Sequence, residues 1–349
     1  MTLATRSTAP DISADPFQER RRGVRRVTRQ LLGAQFVFES DSAELLRLVD
    51  RAYAGLPRHA LAARVPRITL RLALADDAGA RRGAGGKEEP PPLAMSSGAG
   101  FLCGATAQAS LSAMCPAQRA ALVVVARELL RFPYHVRYEL IEFAVFTLAA
   151  RVQQLMPLHA ACVGSDGRGL LLLGASGAGK STAILHCALA GLDLVSEDSL
   201  FVTPDTLLAT GVANFLHVRR ESLRFVPAPQ AVALGRSPVI RRRSGVEKLE
   251  IDLRQARFRL APRPVELAGI VELCPQRAEA GACLTPLGSR QLLARLRDSQ
   301  PYAANLQGWR TFSRAVRGLP AFELRRGRHP DDTVQVLQRL LRELPRSRR

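Results

Sequence analysis

Lysine is nearly missing from this 349-residue chain. It occurs only as Lys87, Lys180 and Lys248, so the remaining 47 of the 50 basic residues are arginine. Where arginine serves almost everywhere, a retained lysine points to a position that needs a compact ammonium. Lys180 and Lys248 stand out on that ground, whereas Lys87 lies in a Gly-Gly-Lys-Glu-Glu-Pro stretch that reads as solvated loop. Aromatic residues are few, at 5%, so a core must be packed with aliphatic side chains, for which a 47% hydrophobic share is ample. The six cysteines form no C-x-x-C pair. This argues against a disulfide framework or a zinc site and predicts apolar fillers in a reducing compartment, hence a cytoplasmic protein. No apolar run has the length of a membrane span, and residues 1–26 carry no apolar segment suited to a signal peptide. No membrane partner is expected.

The formal charge of +19 raises the question of nucleic acid. The arginines are spread along the chain, with no zinc-finger spacing, aromatic RNA-binding signature or basic heptad region among them. Nucleic acid is therefore not expected as the main partner. Anionic nucleotides and acidic surfaces account for the charge equally well.

Against this background one stretch is dense with chemistry: Gly174, Ala175, Ser176, Gly177, Ala178, Gly179, Lys180 and Ser181, followed by Thr182. It reads G-x-x-x-x-G-K-S between an apolar run at 170–173 and a helix-like segment at 182–190. That is the strand–loop–helix setting of a phosphate-binding loop. The glycines let backbone N–H groups turn inward around a phosphate chain. Lys180 brings a point charge to the outer phosphates, and the Ser181 hydroxyl suits Mg²⁺. A bound nucleotide follows as the expectation, with ATP and Mg²⁺ as its form.

The length predicts two domains. Residues 1–30 read as a disordered basic extension, 31–155 as a smaller α+β region, and 156–349 as the domain carrying the loop. In the first half, 42–56 has helical spacing and 68–74 alternates like a strand. The segment 76–100, rich in Gly, Ala and Pro, reads as a mobile loop. Residues 116–132 and 136–155 read as two long apolar helices. In the second half, the apolar segment 156–163 and the run 170–173 are joined by a short Gly/Asp turn, which predicts a β-hairpin feeding the loop. Strands are expected at 192–195, 199–203, 246–253 and 267–273, and a C-terminal helix at 334–344 introduced by Pro330-Asp-Asp.

The order Leu158-His159-Ala160, hairpin, phosphate loop, Gly191 and Leu194-Val-Ser-Glu197-Asp198 resembles the HPr serine kinase/phosphorylase family. The resemblance covers residues 156–203 well and 246–273 and 321–345 more weakly, while 1–150 do not match the N-terminal domain of the long family members. It implies an α/β (α+β) protein whose loop domain has the mixed sheet of phosphoenolpyruvate carboxykinase. The implied activity is ATP-dependent phosphorylation of a serine hydroxyl on a protein or peptide, either HPr-like or a natural-product precursor. By position, Asp198 matches the general base, Glu197 its acidic neighbour, and His159 the histidine beside the phosphates. The chemistry is consistent: a carboxylate can accept the acceptor's proton, and a second can hold Mg²⁺ together with Ser181. Lys248 is a candidate phosphate contact, or else a solvent-facing strand residue; His159 is alternatively a core histidine. Arg241–Arg243 read as a solvated turn or as a dock for an acidic group. The family's Glu-Ile-Arg-Gly segment has no match between residues 215 and 239, so the kinase direction is implied and the phosphorylase direction is not. The family's hexamer is left open. Two other classes compete: a non-catalytic nucleotide sensor, and an ABC-type ATPase. The second lacks both its L-S-G-G-Q-like signature and its Asp-Glu strand end.

Overall fold

A computed structural model describes residues 23–75, 90–106, 110–279 and 281–345. The first half is built on a seven-stranded sheet of β1 (Arg25–Leu31), β2 (Ala34–Ser40), β3 (Arg67–Leu74), β4 (Leu93–Gly98), β5 (Phe101–Thr106), β6 (Leu111–Cys115) and β7 (Ala120–Val125), in the order 1-2-3-7-6-5-4. Helix α1 (Ala43–Tyr53) starts at Ser42, whose side chain accepts the Leu45 N–H, and buries Leu45, Leu46, Val49 and Ala52. Ile68, Leu70 and Leu72 of β3 face inward at period two. A helical stretch follows β7: a 3-10 turn (Arg127–Arg131), α2 (Pro133–His135), a π-helical segment (Val136–Glu142) and α3 (Phe143–Gln153).

Three expectations fail here. Residues 120–125 form a strand and not part of a helix: the run Val123–Val125 is β-branched, and the segment pairs with both β3 and β6. The end of the expected extension, from Arg25, is strand β1, paired along its whole length with β2; residues 1–22 lie outside the described residues. The expected loop 76–100 ends in strand β4, which pairs with β5 across a turn at Ala99 and Gly100, both with positive φ; residues 76–89 lie outside the described residues.

The second half contains a ten-stranded mixed sheet and a three-stranded one. Its strands are β8 (Met156–His159), β9 (Ala161–Ser165), β10 (Arg168–Leu173), β11 (Asp193–Ser196), β12 (Ser199–Val202), β13 (Leu208–Gly211), β14 (Phe215–Val218), β15 (Val239–Arg241), β16 (Glu247–Asp252), β17 (Arg259–Leu260), β18 (Val265–Arg277), β19 (Cys283–Pro286) and β20 (Ala321–Arg326). The small sheet runs 14-16-15. The large one runs 17-11-9-10-18-13-12-8, with β20 pairing β18 and β19. The helices are α4 (Lys180–Leu189), α5 (Ala228–Gly235), α6 (Ser289–Ser299), α7 (Pro301–Ala304), α8 (Trp309–Val316) and α9 (Pro330–Glu343).

The hairpin expected before the loop is present. β9 and β10 pair antiparallel across Asp166 and Gly167, whose φ values of 54° and 79° suit a two-residue primed turn. β10 then runs parallel to β18. Its uninterrupted leucines follow from cover on both faces. Leu170 and Leu172 pack with Ile184 and Leu337 of α4 and α9, while Leu171 and Leu173 pack with Leu292 and Phe312 of α6 and α8. The two halves share packing, because Phe201 of β12 belongs to the first-half core and its ring lies 5.3 Å from Phe146.

Gly211 is where β13 passes closest to the strand that carries the paired acids. A Cβ there would lie 2.5 Å from Val195 O and 2.6 Å from Ser196 Cβ. Gly211→Ala is expected to lower stability by about 1–3 kcal/mol, since neither neighbour is a movable side-chain tip. The shift of the urea midpoint measures it.

Candidate functional site

β10 delivers the chain into a loop whose residues Ala175, Ser176 and Gly177 are exposed, while Ala178 is buried and donates its N–H to Ala175 O at 3.0 Å. Gly179, at φ 92°, precedes α4 without any side-chain cap. A Cβ at Gly179 would run into the guanidinium of Arg326. The first N–H groups of an α-helix have no intrahelical partner, and without a capping side chain they are left for an anion. Thr182 shares a 2.9 Å hydrogen bond with Ser222. Gly174 through Thr182 thus form the turn from β10 into α4.

β11 ends at Ser196, whose hydroxyl accepts the Ser199 N–H at 3.0 Å and holds the bend that carries Glu197 and Asp198. The two acids turn to different partners. Glu197 is buried and accepts the Ser181 hydroxyl at 2.8 Å. Asp198 is partly open, with Oδ1 3.3 Å from Lys180 Nζ and 3.3 Å from His159 Nδ1, and Oδ2 4.0 Å from an Arg242 nitrogen. The His159 side chain is 65% exposed, which removes the core-histidine reading. Its backbone is pinned on both sides by the Gln300 amide, at 2.7 and 3.2 Å.

Behind this pair lies a buried charge network that the sequence did not disclose. His217 of β14 stands between two carboxylates, with Nδ1 3.6 Å from Glu197 and Nε2 3.5 Å from Glu250. Glu250 in turn is paired by two arginines of the first half, Arg137 at very short range and Arg51 at 3.0 Å. Arg137 also lies 3.7 Å from Glu142, which accepts from the Asn214 amide at 3.2 Å. Burial favours the uncharged forms and prevails at Glu142, whose carboxyl is raised, but at Glu250, His217 and Glu197 the mutual pairing wins. The Glu250 carboxyl is held down at about 2 by hydrogen bonds from His217 and Arg137 and by their charges. Burial works against the His217 imidazolium, yet Glu197 and Glu250 raise its pKa above the usual histidine value. Glu197 is lowered despite its burial, by His217, by the Ser181 hydroxyl and by Lys248.

A cationic rim completes the site. Burial, then the charge of Arg242, pulls the Lys248 ammonium below its ordinary pKa, while Glu197 and Asp198 oppose the shift. Lys248 is therefore half-buried within the field of both acids and not wholly solvent-facing. The phenol of Tyr138 is raised by burial and by Asp198. Arg243 is exposed in its turn, as the solvated-turn reading has it, yet it pairs with Glu139 and donates to the carbonyls of Pro90 and Pro91 at 3.0 and 2.8 Å. On the other flank of the loop, a pocket of about 420 Å³ is lined by Gly179, Thr182, Arg219, Phe225, Arg326 and His329.

His217 escaped the sequence reading because it is a lone polar residue in the short apolar strand β14, and Glu250 because it is one of several charged residues in β16 with nothing to single it out. The oxygen donor set of Ser181 and Glu197 beside an uncapped helix start suits a hard divalent ion next to phosphate. No protein-family model matches the chain, and no curated protein is similar to it in sequence. Among the described residues no helix is long and apolar enough to cross a membrane, and all six cysteines are free.

Arg137→Met leaves Glu250 without its closest partner and is expected to cost about 3–5 kcal/mol in a urea melt. Arg51→Ala, at a half-exposed position, is expected to cost about 1 kcal/mol or less. Because the folded pKa of Glu250 lies below its unfolded value, its contribution is fully present above about pH 4.3 and is lost as the pH falls towards 2. Acid unfolding of Glu250→Gln should be correspondingly less steep in that window.

Proposed function

We propose that this protein is an Mg²⁺- and ATP-dependent phosphotransferase of the HPr-kinase-like group, acting on a hydroxyl of a protein or peptide. The observation that carries the reading is the crossed pairing at the loop: Lys180 with Asp198 and Ser181 with Glu197. A second support is the antiparallel hairpin that feeds the loop. It fits a phosphoenolpyruvate carboxykinase-like sheet better than an ABC-type ATPase domain, which has no need of it.

In this reading the triphosphate of ATP lies along the N–H groups of the loop and the start of α4, and the nucleoside extends towards the pocket bounded by Thr182 and Phe225. Lys180 leaves Asp198 to meet the outer phosphates. Ser181 and Glu197 would hold Mg²⁺, which when bound neutralises charge on the phosphates. Asp198, freed from Lys180 and oriented by His159, accepts the proton of the acceptor hydroxyl as its oxygen bonds to the γ-phosphorus and the bond from that phosphorus to the β,γ-bridging oxygen breaks, releasing ADP. Arg242 and Lys248 lie on the rim where transferred charge accumulates. The partly open Asp198 and the exposed His159 leave the acceptor side reachable by a macromolecular substrate, either an HPr-like protein or a precursor peptide.

Incubation with γ-labelled ATP and such acceptors tests the reading. Label on the acceptor supports a kinase, free phosphate alone an ATPase, and bound but unreacted nucleotide a sensor. Lys180→Ala is expected to lower transfer by roughly 100- to 1,000-fold, as loss of one fixed positive donor does. Asp198→Asn is expected to keep nucleotide binding while transfer collapses. Full transfer by that variant would remove Asp198 as the base.

A further inference from the structure

We propose that His186, His329 and Asp331 form a binding site for a borderline transition-metal cation of the Zn²⁺ class, clasping α9 to α4. The three residues come from two elements far apart in sequence, yet one ligand atom from each lies within 4.8 Å of the others. His186 Nδ1 is 2.8 Å from Asp331 Oδ1, and His329 Nδ1 is 3.3 Å from Asp331 Oδ2. The imidazole rings stand 5.5 Å apart and almost perpendicular, so they do not stack on one another.

The donor set decides the class of ion. Two imidazoles and one carboxylate suit Zn²⁺, Co²⁺ or Ni²⁺, whereas Mg²⁺ and Ca²⁺ prefer all-oxygen sites. Three protein ligands leave one position open on a tetrahedral ion. Tetrahedral bonds of about 2.0–2.2 Å set donor atoms roughly 3.3–3.6 Å apart, so only a separation reaching towards 4.8 Å has to close. The half-exposed His329 can close that gap, while the buried His186 stays fixed on α4.

A plainer account of the cluster is helix capping, because His329 also accepts the Asp331 N–H at 3.3 Å at the start of α9. Capping explains His329 but not why a buried histidine of another helix turns to the same carboxylate. The remaining nitrogen of His186 has no hydrogen-bond partner, so no other polar contact accounts for the ring's placement. Because α4 begins at the phosphate loop and His329 lines the pocket beside Gly179, an ion here would fasten the C-terminal helix against the loop's own helix. The site stands independently of the phosphotransferase reading.

The test uses the untagged full-length chain, stripped with chelator and titrated with Co²⁺. One equivalent should bind with the intense visible bands of four-coordinate cobalt, and Zn²⁺ should displace it. His329→Ala and Asp331→Asn should each weaken Co²⁺ binding at least about tenfold. Asp332→Asn separates ligation from capping, since Asp332 accepts the His329 N–H at 3.2 Å but lies outside the trio; it should bind Co²⁺ as the unaltered chain does. Lys180→Ala should do the same. No uptake by the unaltered chain at micromolar Co²⁺, or equal binding in His329→Ala and Asp331→Asn, overturns the proposal.

Discussion

Two adjacent carboxylates at the end of one strand cannot share an environment, and the site is arranged around keeping them apart. Glu197 points inward to the Ser181 hydroxyl and His217, whereas Asp198 stays partly open beside Lys180 and His159. Successive residues leaving a strand diverge, so one position of the chain can supply both a buried ligand and an accessible base. The bend held by Ser196 and the close approach of Gly211 fix where that divergence happens.

Burying Glu197 is tolerable only because charge is balanced well away from the loop. The chain of contacts runs from Glu197 through His217 to Glu250, and there it meets Arg137 and Arg51 from the first half. An isolated carboxylate in such a place would take up a proton. Instead the paired arrangement keeps the acids ionised, and ionised oxygen is what a hard cation or a phosphate-side hydroxyl requires. The first half therefore contributes, through Arg51 and Arg137, to the charge balance behind Glu197. It does so through the same face that brings Glu139 to Arg243 and Phe146 to Phe201.

The most legible parts of the sequence were those whose chemistry is local. The glycines and Lys180 of the loop and the Gly/Asp turn of the hairpin each act over a few residues, and the structure has them where the pattern puts them. Segment 120–125 was not legible in the same way. An apolar run shows no period that separates a covered strand from a buried helix, and only pairing with β3 and β6 decides it. Strand β4 was hidden for the opposite reason: its small and polar residues are exposed, and the ladder to β5 holds it rather than any burial. Arg137 and Glu250 were invisible because their meaning is a contact across more than a hundred residues of chain, and His217 because its carboxylate partners lie on separate elements.

The central claim is that the uncapped start of α4, with Ser181 and Glu197 beside it, receives a polyphosphate together with a divalent ion. Titration calorimetry of the intact chain with ATP, in the presence and absence of Mg²⁺, reads this most directly. The account predicts one nucleotide per chain, bound more tightly with Mg²⁺, with that gain lost in Ser181→Ala. Absence of nucleotide binding under both conditions, or a Mg²⁺ effect unchanged in Ser181→Ala, would contradict it.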